Sequence, residues 1–256
     1  MSRAARGQVT VALSGDGADE LFDGYARYRA AGWLRSFGSL LALGSGLAGP
    51  LARGAHPKSA RSFASRLIAA ARGWGYDDLL AVFPARAWAR LVRGGVPSPT
   101  LDRAGSSDPG RRDFLTSLPG DMLRKVDTAS MAVALEVRAP FLAREIVESR
   151  LADANPDHRG AKALLRAAAA RVLPPGIAEA PKSGFAVPIG EWFRGPLAGF
   201  VREVVLDPSA FEPFADAVPL NPRAAEMFVS EHQSGAADHS QRVYHLAVLA
   251  LWGRTL

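Results

Sequence analysis

The chain has 256 residues, of which 48% are apolar, so it can bury a full core and is not a disordered polypeptide. Its net charge is +6, from 31 Lys and Arg against 25 Asp and Glu. These basic residues are scattered through Ala- and Gly-rich sequence without a dense basic run. That distribution disfavours nucleic acid as a partner and favours a small polyanion.

The chain contains no cysteine, which excludes a disulfide framework and a thiolate metal site and is typical of a reducing cytoplasm. No signal peptide is evident, because Arg3 and Arg6 lead into a strand instead of a long apolar core. The stretch Phe37 to Ala52 is interrupted by Gly, Ser and Pro50 and falls short of the roughly 20 apolar residues of a membrane span. We therefore expect a cytoplasmic chain without a membrane segment.

Hydrophobic spacing predicts a mainly α-helical chain with one or few strands. Gln8 to Leu13 is predicted as a strand and Ala18 to Arg29 as a helix with apolar residues at helical spacing. Because a lone strand leaves its backbone groups unpaired, we expect the sheet that it joins to lie outside this chain. The Gly- and Pro-rich residues 94–111 form a candidate linker. Further helices are predicted at 34–48, 60–72, 77–93, 113–118, 121–135, 144–150, 161–173, 189–193 and 241–252.

The stretch Ser14 to Glu20, with the sequence SGDGADE, joins the predicted strand to the predicted helix. Its two glycines let the backbone approach a ligand closely, and free amides at a helix start attract an anion. Its three carboxylates would repel a phosphate unless a cation lies between them, and Mg²⁺ suits this role because it binds one or two carboxylates together with phosphate oxygens. The structural alternative is that Asp16 caps the helix and Asp19 completes a capping-box-like pair.

A second stretch, Leu118 to Leu142, reads LPGDMLRKVDTASMAVALEVRAPFL. It predicts a helix that gives way to an extended segment before Pro140, since the residue before a proline avoids helical angles. In that segment Glu136 and Arg138 would point to the same side. A buried ion-pair network of these two residues with Asp127 is the alternative to a catalytic role.

A third stretch, Pro181 to Phe193, reads PKSGFAVPIGEWF and holds Lys182 in a loop constrained by Pro and Gly. A positioned ammonium can stabilise charge that develops on a phosphate and on an acyl oxyanion. The alternative is a surface lysine. By contrast, His232, His239 and His245 lack a metal-ligand spacing, and we predict them to be surface and helix-face histidines.

The three stretches resemble, in the same order, motifs of the asparagine synthetase (glutamine-hydrolysing) family. These motifs are SGDGADE or SGEGSDE, LPDDLLxKxDRxSMAxxLExRxPFLD and KxGFxxPxxEW. The resemblance runs from about Val9 to Trp252. It implies that residues 1–256 form the C-terminal part of an adenine-nucleotide α-hydrolase-like (PP-loop ATPase) α/β synthetase domain.

The resemblance also implies an activity, in which aspartate and ATP form an aspartyl-adenylate that ammonia converts to asparagine. Aspartate is the default substrate, because relatives amidate other carboxylates. The implied roles are nucleotide contacts for Ser14, Gly15 and Gly17, catalysis for Asp16, Glu136 and Lys182, and Mg²⁺ coordination for Asp19, with Glu20 as a second candidate.

The sequence also departs from the family pattern. Gly120, Thr128, Ala143 and Asp23 stand where other residues are usual, although none replaces a residue with an assigned role. The family's pyrophosphate-binding SGGxDS loop has no convincing counterpart, since residues 234–238 are predicted to be the loop before the last helix. The family's glutaminase nucleophile is a cysteine, which the chain lacks.

We therefore expect a truncated or split chain that is inactive alone, with a separate chain carrying the PP-loop and the glutaminase as its partner. The alternative hypothesis is a non-catalytic helical interaction module.

Overall fold

The computed structural model describes residues 1–47, 51, 60–73, 75–94, 108–152, 162–179 and 187–256. Within these ranges the chain is mainly helical with two short strands, which confirms the prediction of a mainly α-helical chain with few strands. It divides into two compact units. The first comprises Met1–Gly32 and Leu101–Ser183, and the second comprises Trp33–Thr100 and Gly184–Leu256. Most of the predicted linker 94–111 lies outside the described residues.

The strands are β1, Val11–Leu13, and β2, Glu136–Arg138. A π-helical turn, Leu118–Leu123, leads into one of the helices, and 3₁₀ turns form at Gly44–Leu47, Pro140–Leu142 and Glu212–Phe214. No helix in the described ranges is both long and apolar enough to cross a membrane. The helices are α1 Ser2–Arg6, α2 Ala18–Leu21, α3 Ala26–Leu43, α4 Ala60–Ala71, α5 Tyr76–Leu80, α6 Ala85–Leu91, α7 Pro109–Leu115, α8 Arg124–Met131, α9 Arg144–Ala152, α10 Ala163–Ala169, α11 Ile189–Arg194, α12 Ala198–Val205, α13 Pro222–Gln233 and α14 Ser240–Gly253.

The predicted strand has a partner within the chain, so the expectation that its whole sheet lies elsewhere is wrong. β1 pairs in parallel with β2, and Val11, Ala12 and Leu13 lie opposite Glu136, Val137 and Arg138. The pairing extends on both sides of β1, because the Glu136 N–H donates to the Thr10 carbonyl at 3.0 Å and the Ser14 N–H donates to the Arg138 carbonyl at 2.8 Å. The partner of β1 is thus the extended segment that was predicted before Pro140.

The single helix predicted for 18–29 is in fact two helices. α2 is one turn long, and Asp23 then adopts a left-handed conformation with φ of 54°. That conformation is uncommon for a residue with a side chain, and it ends the helix. α3 begins afresh at Ala26 and runs to Leu43. The chain therefore turns between α2 and α3, just after the SGDGADE stretch.

The helices α12 and α13 were not predicted, for two different reasons. α12 is rich in valine, which has modest helix propensity, and it is stabilised by complete burial of Val201, Val204 and Val205. α13 carries a readable start signal, because the Asn221 side chain accepts the Arg223 N–H and Pro222 stands at the first helical position. The local sequence of α12 therefore does not predict a helix, whereas the cap and proline before α13 do.

The core of the second unit surrounds a buried polar centre at His232. The ring is fully buried, which contradicts the predicted surface position, whereas His245 is exposed as predicted. The Nδ1 atom of His232 accepts the His239 backbone N–H at 3.2 Å, so Nε2 carries the proton and donates to the Gly190 carbonyl at 3.0 Å. Burial lowers the pKa of His232 below its usual 6.5, and the positive charge of the nearby Arg194 guanidinium lowers it further.

We predict that the second unit loses stability in mild acid. Because the His232 pKa is lowered in the folded state, the unfolded chain takes up the proton first as the pH falls through 6.5. The associated loss of unfolding free energy approaches about 1.4 kcal/mol per pH unit until the folded-state pKa is reached. Denaturant unfolding between pH 7.5 and 5 measures this slope.

His232→Gln should lower stability at pH 7.5 and flatten the slope, whereas His245→Gln is the matched control at an exposed site. An unchanged slope in His232→Gln would contradict the assignment.

Candidate active site

The SGDGADE stretch forms a tight turn, here called the acidic elbow and comprising Ser14 to Glu20, directly after β1. The Ser14 side chain donates to the Asp16 carboxylate at 2.8 Å. α2 is capped at Gly17, and no side chain accepts its first amides. The interpretation of Asp16 as a helix cap is therefore wrong. Because α2 has only 4 residues, its dipole also contributes little to an anion site.

The two glycines of the elbow have different surroundings. Gly17 has φ of 86°, and a Cβ built there would lie 2.2 Å from Leu142 Cδ2. Leu142 belongs to the 3₁₀ turn that follows β2, so the first two sequence motifs pack directly against each other. Gly15 is exposed, and a Cβ there would meet nothing within 4 Å. The backbone at Gly15 is thus open to a ligand.

Asp19 forms an ion pair with Lys162, in which Nζ and Oδ1 are 3.1 Å apart. Lys162 lies just before α10, and its own backbone N–H donates to the Phe22 carbonyl at 2.9 Å. The sequence analysis missed this residue, because a single lysine at the start of an Ala-rich helix carries no motif. Lys162 reaches Asp19 because Leu164 and Leu165 of α10 pack against Ala18, Leu21 and Phe22.

Glu20 turns into the protein. It is 6% exposed, and its carboxylate accepts the Tyr25 hydroxyl at 3.0 Å. Burial and the Glu20 charge raise the pKa of the Tyr25 phenol, so it keeps its proton and remains a donor. The Arg27 guanidinium lies 3.6 Å from the centre of the Tyr25 ring. Glu20 therefore has partners that hold the start of α3.

A second buried carboxylate, Asp113 on α7, supports the elbow from behind. Asp113 is fully buried and accepts hydrogen bonds from Arg27 at 2.7 Å and from Tyr28 at 3.0 Å. On the same helix, a Cβ at Gly110 would lie 2.9 Å from the Glu20 carbonyl oxygen. α7 can approach the elbow this closely because glycine has no side chain. The sequence analysis missed both residues.

Glu136 and Arg138 point to the same side of β2, as predicted, and form an ion pair of 2.7 Å. Their side chains are 54% and 66% exposed, and Asp127 on α8 is also exposed. The alternative of a buried ion-pair network is therefore wrong. Val11 and Leu13 lie opposite Glu136 and Arg138 in the parallel register, so these residues share one open face of the sheet.

Carboxylate oxygens are suitable ligands for Mg²⁺, which usually takes one or two of them beside phosphates. The elbow offers Asp19, which is 22% exposed, and the partly exposed Asp16. Across the residues that the structure describes, no group of three or more His, Cys, Asp or Glu side chains could hold a metal ion. The elbow thus fits a shared metal–phosphate site better than an all-protein one. Lys182 lies outside the described residues.

Comparison with known protein families gives a match over almost the whole chain. The family described as asparagine synthase matches residues 1–254. A putative glutamine-hydrolysing asparagine synthetase of Mycobacterium tuberculosis is 34% identical over 271 residues, which cover 98% of this chain and 40% of the relative. Glutamine-hydrolysing asparagine synthetase 1 of Bacillus subtilis is 27% identical over 281 residues, or 98% of this chain and 41% of that protein.

The chain thus spans about two fifths of the length of these curated relatives. No solved structure matches it.

We predict that Gly17→Ala destabilises the first unit by about 1–3 kcal/mol, because the added methyl group overlaps Leu142 and the left-handed backbone disfavours a side chain. Gly120→Ala is the matched control, since a Cβ there meets nothing within 4 Å. Thermal unfolding of both variants measures the difference. Equal stability would show that the elbow does not pack against Leu142.

Proposed function

Since the chain belongs to the asparagine synthase family, we propose that it supplies part of the catalytic site of an ATP-dependent amidoligase. The proposed reaction joins a carboxylate substrate, with aspartate as the default, to AMP and then replaces AMP by ammonia. The observation that carries the proposal is the junction of two sequence motifs, because β1 pairs with β2 and Gly17 packs on Leu142. Both motifs therefore contribute to one surface.

In the proposed site the Ser14 hydroxyl and the backbone of Gly15 and Gly17 contact the nucleotide. Gly15 is exposed, whereas Gly17 is buried against Leu142 and would contribute through the shape of the turn. Asp16 acts in acyl-adenylate formation. Its geometry supports this role, because its carboxylate is held by Ser14 and is not used to cap α2.

We further propose that Asp19 is the Mg²⁺ ligand, where Mg²⁺ would neutralise phosphate charge. Glu20 is a weaker candidate, since it is buried against Tyr25.

Lys182 and Glu136 complete the proposed catalytic set. A lysine ammonium near the α-phosphate would stabilise the charge that develops there as the adenylate forms. Glu136 is exposed on the open face of the sheet, where its carboxylate can reach a bound molecule.

We propose that other parts of the enzyme supply the PP-loop strands, the pyrophosphate-binding loop and the glutaminase that makes ammonia. The length of the relatives supports this view, because the chain matches about 40% of the M. tuberculosis protein. The sheet supports it as well. It has two strands in the described ranges, and its Leu13 side chain is 74% exposed. A cytoplasmic location remains part of the proposal, supported by the absence of cysteine.

A second candidate is a non-catalytic interaction module. The observation that favours it is an apolar stripe along α14, whose Tyr244, Val248, Leu251 and Trp252 side chains are 39% to 55% exposed. Residues at this helical spacing lie on one face. Such an apolar face suits binding to another protein, a function that needs no catalytic residues.

We predict that the purified chain releases no pyrophosphate above background from ATP, Mg²⁺, aspartate and ammonia. When it is mixed with the portion of the M. tuberculosis relative that it does not match, pyrophosphate and asparagine should form. A coupled pyrophosphate assay and mass spectrometry measure both products. Turnover by the chain alone would overturn the proposal that it supplies only part of the site.

In the reconstituted mixture, Asp16→Ala and Lys182→Ala should each reduce turnover by about 100-fold or more, since each removes a group proposed to act in adenylate formation. Arg144→Ala is the control, because it breaks only an exposed ion pair with Glu148 on α9. Activity that survives both changes would favour the interaction module.

A further inference from the structure

Lys162 is held at its backbone as well as at its ammonium group. Its φ is 61°, a left-handed conformation that is uncommon for residues with a side chain. Its N–H donates to the Phe22 carbonyl at 2.9 Å, and its Nζ lies 3.1 Å from Asp19 Oδ1. The backbone contact with Phe22 and the ion pair with Asp19 therefore together fix the position of the Lys162 ammonium group.

The turn after α2 leaves space for this ion pair because residue 24 is glycine. A Cβ at Gly24 would lie 1.9 Å from Asp19 Oδ1 and 2.5 Å from Lys162 Cε. The Gly24 N–H also donates to the Asp19 carbonyl at 2.8 Å. The pair thus lies directly over the backbone of the turn, and a larger residue at position 24 would displace it.

The Asp19–Lys162 pair is also partly buried, with side chains 22% and 26% exposed. The ion pair of Arg144 with Glu148 is a useful contrast, since its side chains are 83% and 62% exposed. At equal distance, charges near a protein surface interact roughly fourfold more strongly than charges in bulk water. Lys162 therefore competes effectively with any other cation for the Asp19 carboxylate.

We propose that Lys162 is the resident counter-ion of the acidic elbow and sets its affinity for divalent cations. The inference rests on the proposed function, in which Asp19 is the metal ligand. A divalent ion at Oδ1 would meet an ammonium group in the same place, so free metal binds weakly. A phosphate that arrives with the metal can accept the displaced ammonium. Lys162 thereby makes the elbow select a metal–nucleotide complex over free metal.

The test is a titration of the purified chain with Mn²⁺ alone, followed by water-proton relaxation, which detects weak binding. Lys162→Met removes the charge and keeps most of the aliphatic stem, and we expect it to bind Mn²⁺ about tenfold more tightly. Lys162→Arg keeps the charge and should bind like the unmodified chain. Asp19→Asn should abolish the gain when it is combined with Lys162→Met.

Arg144→Met is the matched control, because it removes an exposed cation from the same unit and should leave Mn²⁺ affinity unchanged. Circular dichroism at the titration temperature verifies that each variant is folded.

If Asp19→Asn weakens Mn²⁺ binding but Lys162→Met does not strengthen it, the inference about Lys162 is overturned while the proposed metal ligand stands. If Asp19→Asn does not reduce Mn²⁺ binding when it is combined with Lys162→Met, or if no variant binds Mn²⁺, the metal ligand itself is wrong and the inference falls with it.

Discussion

The parallel pairing of β1 with β2 is the interaction on which the candidate site depends. It joins segments that are far apart in sequence, and its last hydrogen bond, from the Ser14 N–H to the Arg138 carbonyl, fixes the first residue of the elbow. The 3₁₀ turn after β2 then presents Leu142 to Gly17. Because both contacts involve backbone or a Cβ-free position, the elbow's shape is set by the main chain more than by its acidic side chains.

Each carboxylate of the elbow has a hydrogen-bond or ion-pair partner within the protein. Asp16 accepts the Ser14 hydroxyl, Asp19 pairs with Lys162, and Glu20 accepts the Tyr25 hydroxyl. The sequence argument held that these acids need a cation between them and a phosphate. The donors are Ser14 within the elbow, Tyr25 after α2 and Lys162 before α10, so each of these acids has a donor from the protein itself. A metal would then serve the bound nucleotide and would not be required for the fold.

Much of this arrangement could be predicted from local sequence. Glycine permits the left-handed backbone that Gly17 adopts, and Pro140 keeps the residue before it out of helical angles. The helical class and the extended segment at Glu136 followed from such rules. Contacts made by distant residues could not be predicted in this way. Lys162 has no distinguishing neighbours in sequence, and the burial of His232 depends on how α13 packs against α11 and α14. The catalytic assignments of Lys182 and Glu136 remain predictions.

The sheet has two strands in the described residues, and one of its faces is exposed beside the candidate site. Parallel strands are normally covered on both faces, yet Val11 and Leu13 are 38% and 74% exposed beside the charged pair of Glu136 and Arg138. In open α/β sheets, ligands bind beyond the carboxyl ends of parallel strands, which is where the elbow lies. A further strand that paired in parallel at an edge of this sheet would place its own carboxyl end on the same side as Ser14. Extending the sheet would therefore also enlarge the edge at which the proposed nucleotide site lies.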